Sequence, residues 1–393
     1  MKHALRLSTA LFFFSFVRAA TGEPAAGRPV DLKASDGTKL AATYYSSSER
    51  PGPGILLLHQ CNRDRSSWND LASDLSGKGF HVLTMDYRGY GDSGGTPYTK
   101  LTVAEQRQVG QKWPGDVDVA FAYLVSQPGV RRDVIGAGGA SCGVNQSIQL
   151  SRRHPEVKSL VLLSGNTNRD GRQYLRSAKT LPLLLAAAED DGGAVELMAW
   201  LDASSGNPAN EFVQYSVGGH GTEMFKAHPD LPAAIVAWYE TTLNGKPAAV
   251  PAAARARPDD QRIRLLVMMD EPGGPARAAG ILADEQKKSP DSKALQPGFV
   301  NQLGYVAIEA QDPKAAVAIM QVNVDGHPKS SNAWDSLGDA LLAAGQKDKA
   351  REAAQKALTL VDSDTAETEQ QRALIRESAQ AKLNQLKDAT AKK

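Results

Sequence analysis

Cysteine is nearly absent: the 393 residues contain only Cys61 and Cys142, which excludes a disulfide-dense scaffold. With so few cysteines and scattered histidines, no run has the spacing of a metal-ligand set, so no metal is expected. Charge of one sign is missing too. The 45 basic residues against 44 acidic ones leave no basic groove for nucleic acid and no polybasic membrane patch. Aromatic residues make up only 6%. No internal apolar run reaches the roughly 18 residues of a stable membrane span. What is present is a hydrophobic share of 41%, enough for an ordinary core, on a chain long enough for two domains.

The first 20 residues, "MKHALRLSTALFFFSFVRAA", place Lys2 and Arg6 before the apolar core "ALFFFSFV" and small residues at Ala19 and Ala20. That order predicts a secretory signal peptide over 1–20, cut near Ala19 or Ala20, and an exported protein, periplasmic or secreted. A retained membrane anchor is the rival, disfavoured because the apolar core is short. An exported chain places both cysteines in an oxidising compartment.

Alternation around Asp36-Gly37 in "PVDLKASDGTKLAATYY" predicts a hairpin. Short apolar runs follow at 54–59, 80–87, 133–140, 159–165, 181–188 and 211–217, separated by helix-length segments. Unbroken apolar strands alternating with helices predict an α/β fold with a mostly parallel sheet of about eight strands, buried on both faces. It closes with a helix at 231–243, giving a domain over 28–245. A Pro/Ala-rich linker is expected over 246–262 and an all-α domain over 263–393. Within the latter, "NQLGYVAIEAQDPKAAVAI" and "DSLGDALLAAGQKDKAREA" put Gly304 and Gly338, Leu303 and Leu337, and Ala316 and Ala350 each 34 positions apart. This period resembles the tetratricopeptide repeat over about 299–361, with a capping helix at 365–387 and a degenerate unit at 276–290.

"DVIGAGGASCGVNQSIQL" ends a buried strand in small residues and fits G-x-S-x-G, the nucleophile elbow. A sharp strand-to-helix turn leaves no room for side chains two positions either side of the apex, hence Gly139 and Gly143. Ser141 then takes the apex. With Cys142 there instead, the tight positions would hold Ala140 and the β-branched Val144, a poor fit. The elbow and the order of elements resemble the α/β-hydrolase family over 28–245. The resemblance implies a triad in the order serine, acid, histidine. The acid falls in "AAAEDDGG", where counting favours Asp191 over Asp190 and, further off, Glu189. The base falls in the glycine-flanked "VGGHGTEMF", at His220. His59, His81, His154 and His228 compete poorly: His59 suits holding loop geometry, and His154 is expected in solvent.

The resemblance also implies an oxyanion hole made by the backbone N–H of Cys142 and one from the loop "LLLHQCNRDRSSW", supplied by Gln60 or Cys61. That fold would bring Cys61 and Cys142 together. They are then either a disulfide tying the two donor loops, worth about 4–5 kcal/mol in the loop-entropy model, or two small reduced thiols. Arg63 and Arg65 meet an anionic substrate or pair with surface carboxylates, the latter being the commoner fate. Asp86 and Arg88 are read as braces of the turn after the fourth strand, and Asp116 as favourable at a helix N-terminus.

Only about sixteen residues separate Gly165 from Pro182, too few for the lid that many α/β-hydrolases insert there. The compact core resembles dienelactone hydrolases and small carboxylesterases, which need no cofactor. It departs from the former in having serine, not cysteine, at the elbow. The reading that follows is an exported serine hydrolase with an open, uncapped site for small esters or acyl groups carried on larger molecules, and a helical tail for docking or packing. The alternative is an inactive hydrolase-fold scaffold whose repeats bind a peptide or protein partner.

Overall fold

A computed structural model describes residues 27–47, 51–246 and 260–391. The leader expected over 1–20 and most of the expected linker lie outside these residues. The first part of the chain runs β1 (Arg28–Lys33), β2 (Lys39–Tyr45), β3 (Gly52–Leu58), α1 (Asn69–Gly77), β4 (His81–Met85), α2 (Val103–Gly110), α3 (Trp113–Ser126) and β5 (Val130–Ala140). It continues with α4 (Cys142–Arg153), β6 (Val157–Leu163), α5 (Arg169–Ser177), β7 (Leu183–Ala188), α6 (Ala194–Ser205), β8 (Glu211–Tyr215), α7 (Met224–Ala227) and α8 (Asp230–Asn244). The eight strands form one sheet in the order β1-β2-β4-β3-β5-β6-β7-β8, antiparallel at β1/β2 and β2/β4 and parallel elsewhere. The hairpin read at Asp36-Gly37 is the β1–β2 turn, where Gly37 takes a positive φ of 86°.

Two apolar layers explain why the inner strands are hydrophobic without alternation. Leu56 and Leu58 of β3, Leu160 and Leu162 of β6, and Leu183 and Leu185 of β7 pack on one face with α3, α4 and α6. Their neighbours Ile55, Leu57, Val161, Leu163 and Leu184 pack on the other with α1 and α8. Successive side chains on a strand point to opposite faces, so a strand covered on both must be apolar throughout. The parallel arrangement brings the C-terminal ends of β3, β5, β7 and β8 to one edge, where the loops carrying residues 59–61, 141, 191 and 220 emerge.

The second part is helical: α9 (Gln261–Met269), α10 (Gly274–Lys288), α11 (Pro297–Glu309), α12 (Pro313–Gly326), α13 (Ser331–Ala343), α14 (Lys347–Leu360) and α15 (Glu369–Ala391). It begins earlier than expected, because the Asp260 side chain accepts from the Ile263 N–H and caps α9 inside the stretch assigned to the linker. The pairs α11/α12 and α13/α14 start 331 − 297 = 34 and 347 − 313 = 34 positions apart. Gly304 lets α11 and α12 close up: a Cβ there would lie 2.5 Å from Met320 Cγ.

The tail is joined to the sheet domain by exchanged apolar residues and a buried ionic cluster. Ile263 of α9 packs into the core beneath α6, and Trp200 of α6 packs into the core of the tail. Arg172 of α5, 1% exposed, bonds both carboxylate oxygens of Asp270 through Nε (3.1 and 3.0 Å), reaches Glu309 at 3.1 Å, and stacks 3.8 Å over the Trp200 ring. The segment between β6 and β7 forms α5, on which the tail docks.

Arg172→Ala leaves the Asp270 carboxylate buried with only the more distant Arg176 at 3.6 Å. The expected cost is about 3–5 kcal/mol, seen as faster amide hydrogen exchange across α9 and α11 at a temperature where the sheet stays protected. The double variant Arg172→Met with Asp270→Leu recovers most of that protection. Unchanged exchange in the single variant would show that the cluster does not hold the tail.

Candidate active site

The run "GGASCG" turns sharply because its backbone has no alternative. Ser141 sits between β5 and α4 with φ 52° and ψ −116°, a conformation rare for a residue with a side chain. Its N–H donates to the Leu163 carbonyl at 2.8 Å, which ties the bend to β6. A Cβ on Gly139 would lie 2.1 Å from the Gly143 carbonyl oxygen, and one on Gly143 would lie 2.3 Å from that of Leu58. Neither position has room for a side chain. Close contact between Gly143 and the end of β3 also brings the loop at 59–61 against the head of α4.

Cys61 and Cys142 are joined in a disulfide across 81 positions, with Cα atoms 5.8 Å apart. Cys142 is the first residue of α4, so its N–H has no intrahelical acceptor and stands at the positive end of the helix. In the facing loop, His59 is fully buried with both ring nitrogens engaged. Nδ1 donates to the Gln60 carbonyl at 2.8 Å, and Nε2 accepts from the Tyr87 N–H at 3.1 Å. Burial also pushes its pKa down, keeping the ring neutral. It holds the loop, as expected, and has no nitrogen left for acid–base work.

The three acids after β7 separate cleanly. Asp191 Oδ2 lies 2.8 Å from His220 Nδ1. Asp190 instead accepts from the backbone N–H groups of Gly218 (3.0 Å) and Gly219 (3.2 Å), bracing the histidine loop. Glu189 is exposed and accepts from Gln214. The hydrogen bond to Asp191 raises the His220 pKa above its ordinary 6.5, with partial burial opposing the shift. With Nδ1 engaged, Nε2 is the ring nitrogen left to face a nucleophile. Gly221, the next residue, lies against the elbow: a Cβ there would be 3.2 Å from that of Ala140.

Gln60 does more than its sequence position suggested. Its buried carboxamide accepts from the Thr222 N–H (2.8 Å) and hydroxyl (2.9 Å) through Oε1, and donates through Nε2 to the His220 carbonyl (3.2 Å) and Asn62 (2.8 Å). This side-chain role was missed, since a glutamine in a polar loop carries no signal of a partner 160 positions away. Arg63 pairs with Glu223 at 2.8 Å and holds that carboxyl below its usual range, while Glu223 accepts from the His220 N–H at 3.3 Å. Arg65 is bonded to Asp86 and Asp92. Both arginines are thus paired with carboxylates. Asp86 also accepts from the Arg65 and Asp92 N–H groups, and Arg88 bonds Asp116 and Asp36, which makes all three acids braces.

Of the other histidines, His81 is buried against the Tyr44 hydroxyl at 2.6 Å, and His228 stacks on Tyr215. His154 was expected in solvent. It is half-buried instead, stacked 4.0 Å from Phe121 with Nε2 3.0 Å from Asp118, because α4 ends there against α3. Among the described residues no cluster of three or more His, Cys, Asp or Glu is arranged to hold a metal, and no helix is long and apolar enough to cross a membrane.

Residues 53–187 match the family model described as alpha/beta hydrolase fold. An uncharacterized protein of Mycobacterium tuberculosis is 37% identical over 157 residues, covering 39% of this chain and 50% of that protein. Epoxide hydrolase B of Mycobacterium tuberculosis is 30% identical over 134 residues, covering 27% of this chain and 38% of that one. The chain thus spans half or less of the length of these relatives. Among solved structures, a Pyrococcus furiosus esterase is 18% identical with a TM-score of 0.45, covering 56% of this chain and 92% of its own. A Mycobacterium tuberculosis puromycin-hydrolyzing peptidase is 17% identical with a TM-score of 0.46, covering 57% of this chain and 40% of its own. Strand order, the elbow and the family match agree: the chain carries an α/β-hydrolase fold over its sheet-forming part, followed by a region of many helices.

Proposed function

We propose that this protein is an exported serine hydrolase that cleaves an ester or related acyl bond through Ser141, His220 and Asp191. The observation that carries the reading is the 2.8 Å contact between His220 Nδ1 and Asp191 Oδ2, on a loop packed against a strained serine turn. A serine hydroxyl is a weak nucleophile at neutral pH, so the imidazole takes its proton through Nε2 as it attacks the acyl carbon. Asp191 fixes the tautomer that leaves Nε2 free and stabilises the imidazolium that forms. The tetrahedral oxyanion is received by the Cys142 N–H and one from Gln60 or Cys61. A single such donor is worth about 3–4 kcal/mol in comparable sites. The imidazolium then protonates the leaving group, and water, activated by the same ring, releases the acyl group from Ser141.

The helical tail is read as tetratricopeptide-like and as a packing module. Supporting this are the exchange of Ile263 and Trp200 between the two cores and the Arg172 cluster, which commit one side of the tail to the hydrolase fold. Within the tail, buried Lys382 of α15 reaches Asp335 and Asp339 of α13, each at 2.9 Å.

A fluorophosphonate probe should label the wild-type protein and fail to label Ser141→Ala. Folded wild-type protein that resists the probe would favour the inactive scaffold. In turnover of p-nitrophenyl esters, Asp191→Asn should lower kcat by about 10⁴ through the wrong tautomer, whereas Asp190→Asn, whose amide oxygen still accepts from residues 218 and 219, should cost far less. Equal losses would reject Asp191 as the partner.

The pH profile supplies a further check. The base works only as neutral imidazole, and its pKa is raised in the folded protein. Activity should therefore fall on acidification along a limb above the ordinary 6.5 of histidine. Residual activity in Asp191→Asn should show that limb displaced to lower pH. A limb at the same pH in both proteins would mean that His220 is not the titrating base.

A further inference from the structure

The loop at residues 59–61 is tied to both other parts of the site, by two bonds of different kinds. Cys61 is joined covalently to Cys142, whose own N–H is an oxyanion donor in the reading above. The neighbouring Gln60 side chain holds the histidine loop through Thr222 and the His220 carbonyl. Three segments far apart in sequence therefore meet at two consecutive residues. The covalent tie alone can be opened without changing the sequence. Both cysteines are half-buried, at the junction of the loop and the head of α4.

We propose that the Cys61–Cys142 disulfide is a redox lock on the oxyanion pocket. In the oxidised form it fixes the spacing between the donor at the head of α4 and the donor in the 60–61 loop. A dithiol reductant gives two electrons and two protons to the bond, leaving two thiols on the protein and closing to its own cyclic disulfide. The elbow and the 60–61 loop then keep only packing and hydrogen bonds between them. Donor spacing widens, and the oxyanion is stabilised less while substrate still binds. The cysteines are positioning residues, acting through the backbone groups they hold. The proposal rests on the serine hydrolase reading.

The experiment uses the full-length protein, its bond first verified by non-reducing peptide mapping, with p-nitrophenyl butyrate turnover before and after dithiothreitol. Circular dichroism at the assay temperature establishes that the reduced protein is still folded. The expected result is a fall in kcat of about tenfold to hundredfold, the scale of a donor misplaced by an ångström or less. KM should stay within about twofold, and reoxidation should restore kcat. The double variant Cys61→Ser with Cys142→Ser should show the lowered kcat from the start, ignore dithiothreitol, and still react with fluorophosphonate at Ser141. Equal kcat in the oxidised and reduced folded protein overturns the lock and leaves the triad standing. So does a loss that follows the fraction unfolded. No turnover and no labelling in either redox state overturns the triad reading, and the lock with it.

Discussion

The approach of Gly143 to the Leu58 carbonyl is the contact on which the site depends. Any side chain at 143 would drive a carbon to 2.3 Å from that oxygen, forcing the head of α4 away from the end of β3. The loop leaving β3 would go with it, and with the loop Cys61 and Gln60. The same closeness holds Ser141 at its positive φ, a strain of about 1–3 kcal/mol for a residue of this kind. The neighbours over-determine that conformation: Ser141 bonds Leu163 on one side, Gly139 meets Gly143 beneath, and a Cβ at Gly165 would fall 2.5 Å from the Ser141 carbonyl. The conformation of Ser141 at the turn between β5 and α4 is thus a consequence of backbone packing.

Charge is managed differently around the site and at the junction with the tail. Around the site charged groups are answered by hydrogen bonds that each fix a loop: Asp190 accepts from the backbone of the glycines before His220, Arg63 pairs with Glu223 in the segment after it, and Asp86 accepts from the backbone of the turn after β4. Between the sheet domain and the tail, Arg172 is removed from water altogether. Desolvating a guanidinium and a carboxylate offsets most of their attraction, so such a cluster adds little to net stability and much to the choice of one docked arrangement. The apolar exchange of Trp200 and Ile263 supplies the driving force, and the ion pairs select the orientation.

Most of the sheet was legible because period and composition act locally. Runs of Leu, Ile and Val bounded by polar loops give strands wherever both faces are covered, and the closing helix and the 34-residue offset of helix pairs came from the same kind of pattern. The elbow was legible because glycine at 139 and 143 has a steric reason visible in five residues. What could not be read depends on contacts between distant segments. Nothing near Gln60 points to Thr222, nothing near Arg172 points to Asp270 and Glu309, and the burial of His154 follows from α3 lying beside α4. The choice between Asp190 and Asp191 was narrowed by counting. The 2.8 Å contact between Asp191 and His220 arises because β7 and β8 are neighbours in the sheet.

The short connection between β6 and β7 gains its meaning from the tail. A separate lid cannot fit there, and the open site expected on that ground would leave residues 165–169 facing water. Instead a run of hydrogen bonds leads from the elbow helix into the tail. Asn145, one turn beyond Ser141, accepts from the Thr167 hydroxyl at 2.7 Å; the Thr167 carbonyl accepts from Arg172 at 2.6 Å; Arg172 holds Asp270 and Glu309. Glu309 also accepts from the Arg169 N–H at 2.7 Å. A polar cavity of about 390 Å³ lies at this junction, bounded by Asn168, Arg169, Asp170 and Gln173 on one side and Glu309 and Gln311 on the other. The rim of the sheet on this flank is thus built jointly by both parts of the chain. A helical module attached after the last strand thus reaches back to the short connection between β6 and β7 and fixes it through Arg172 and Glu309.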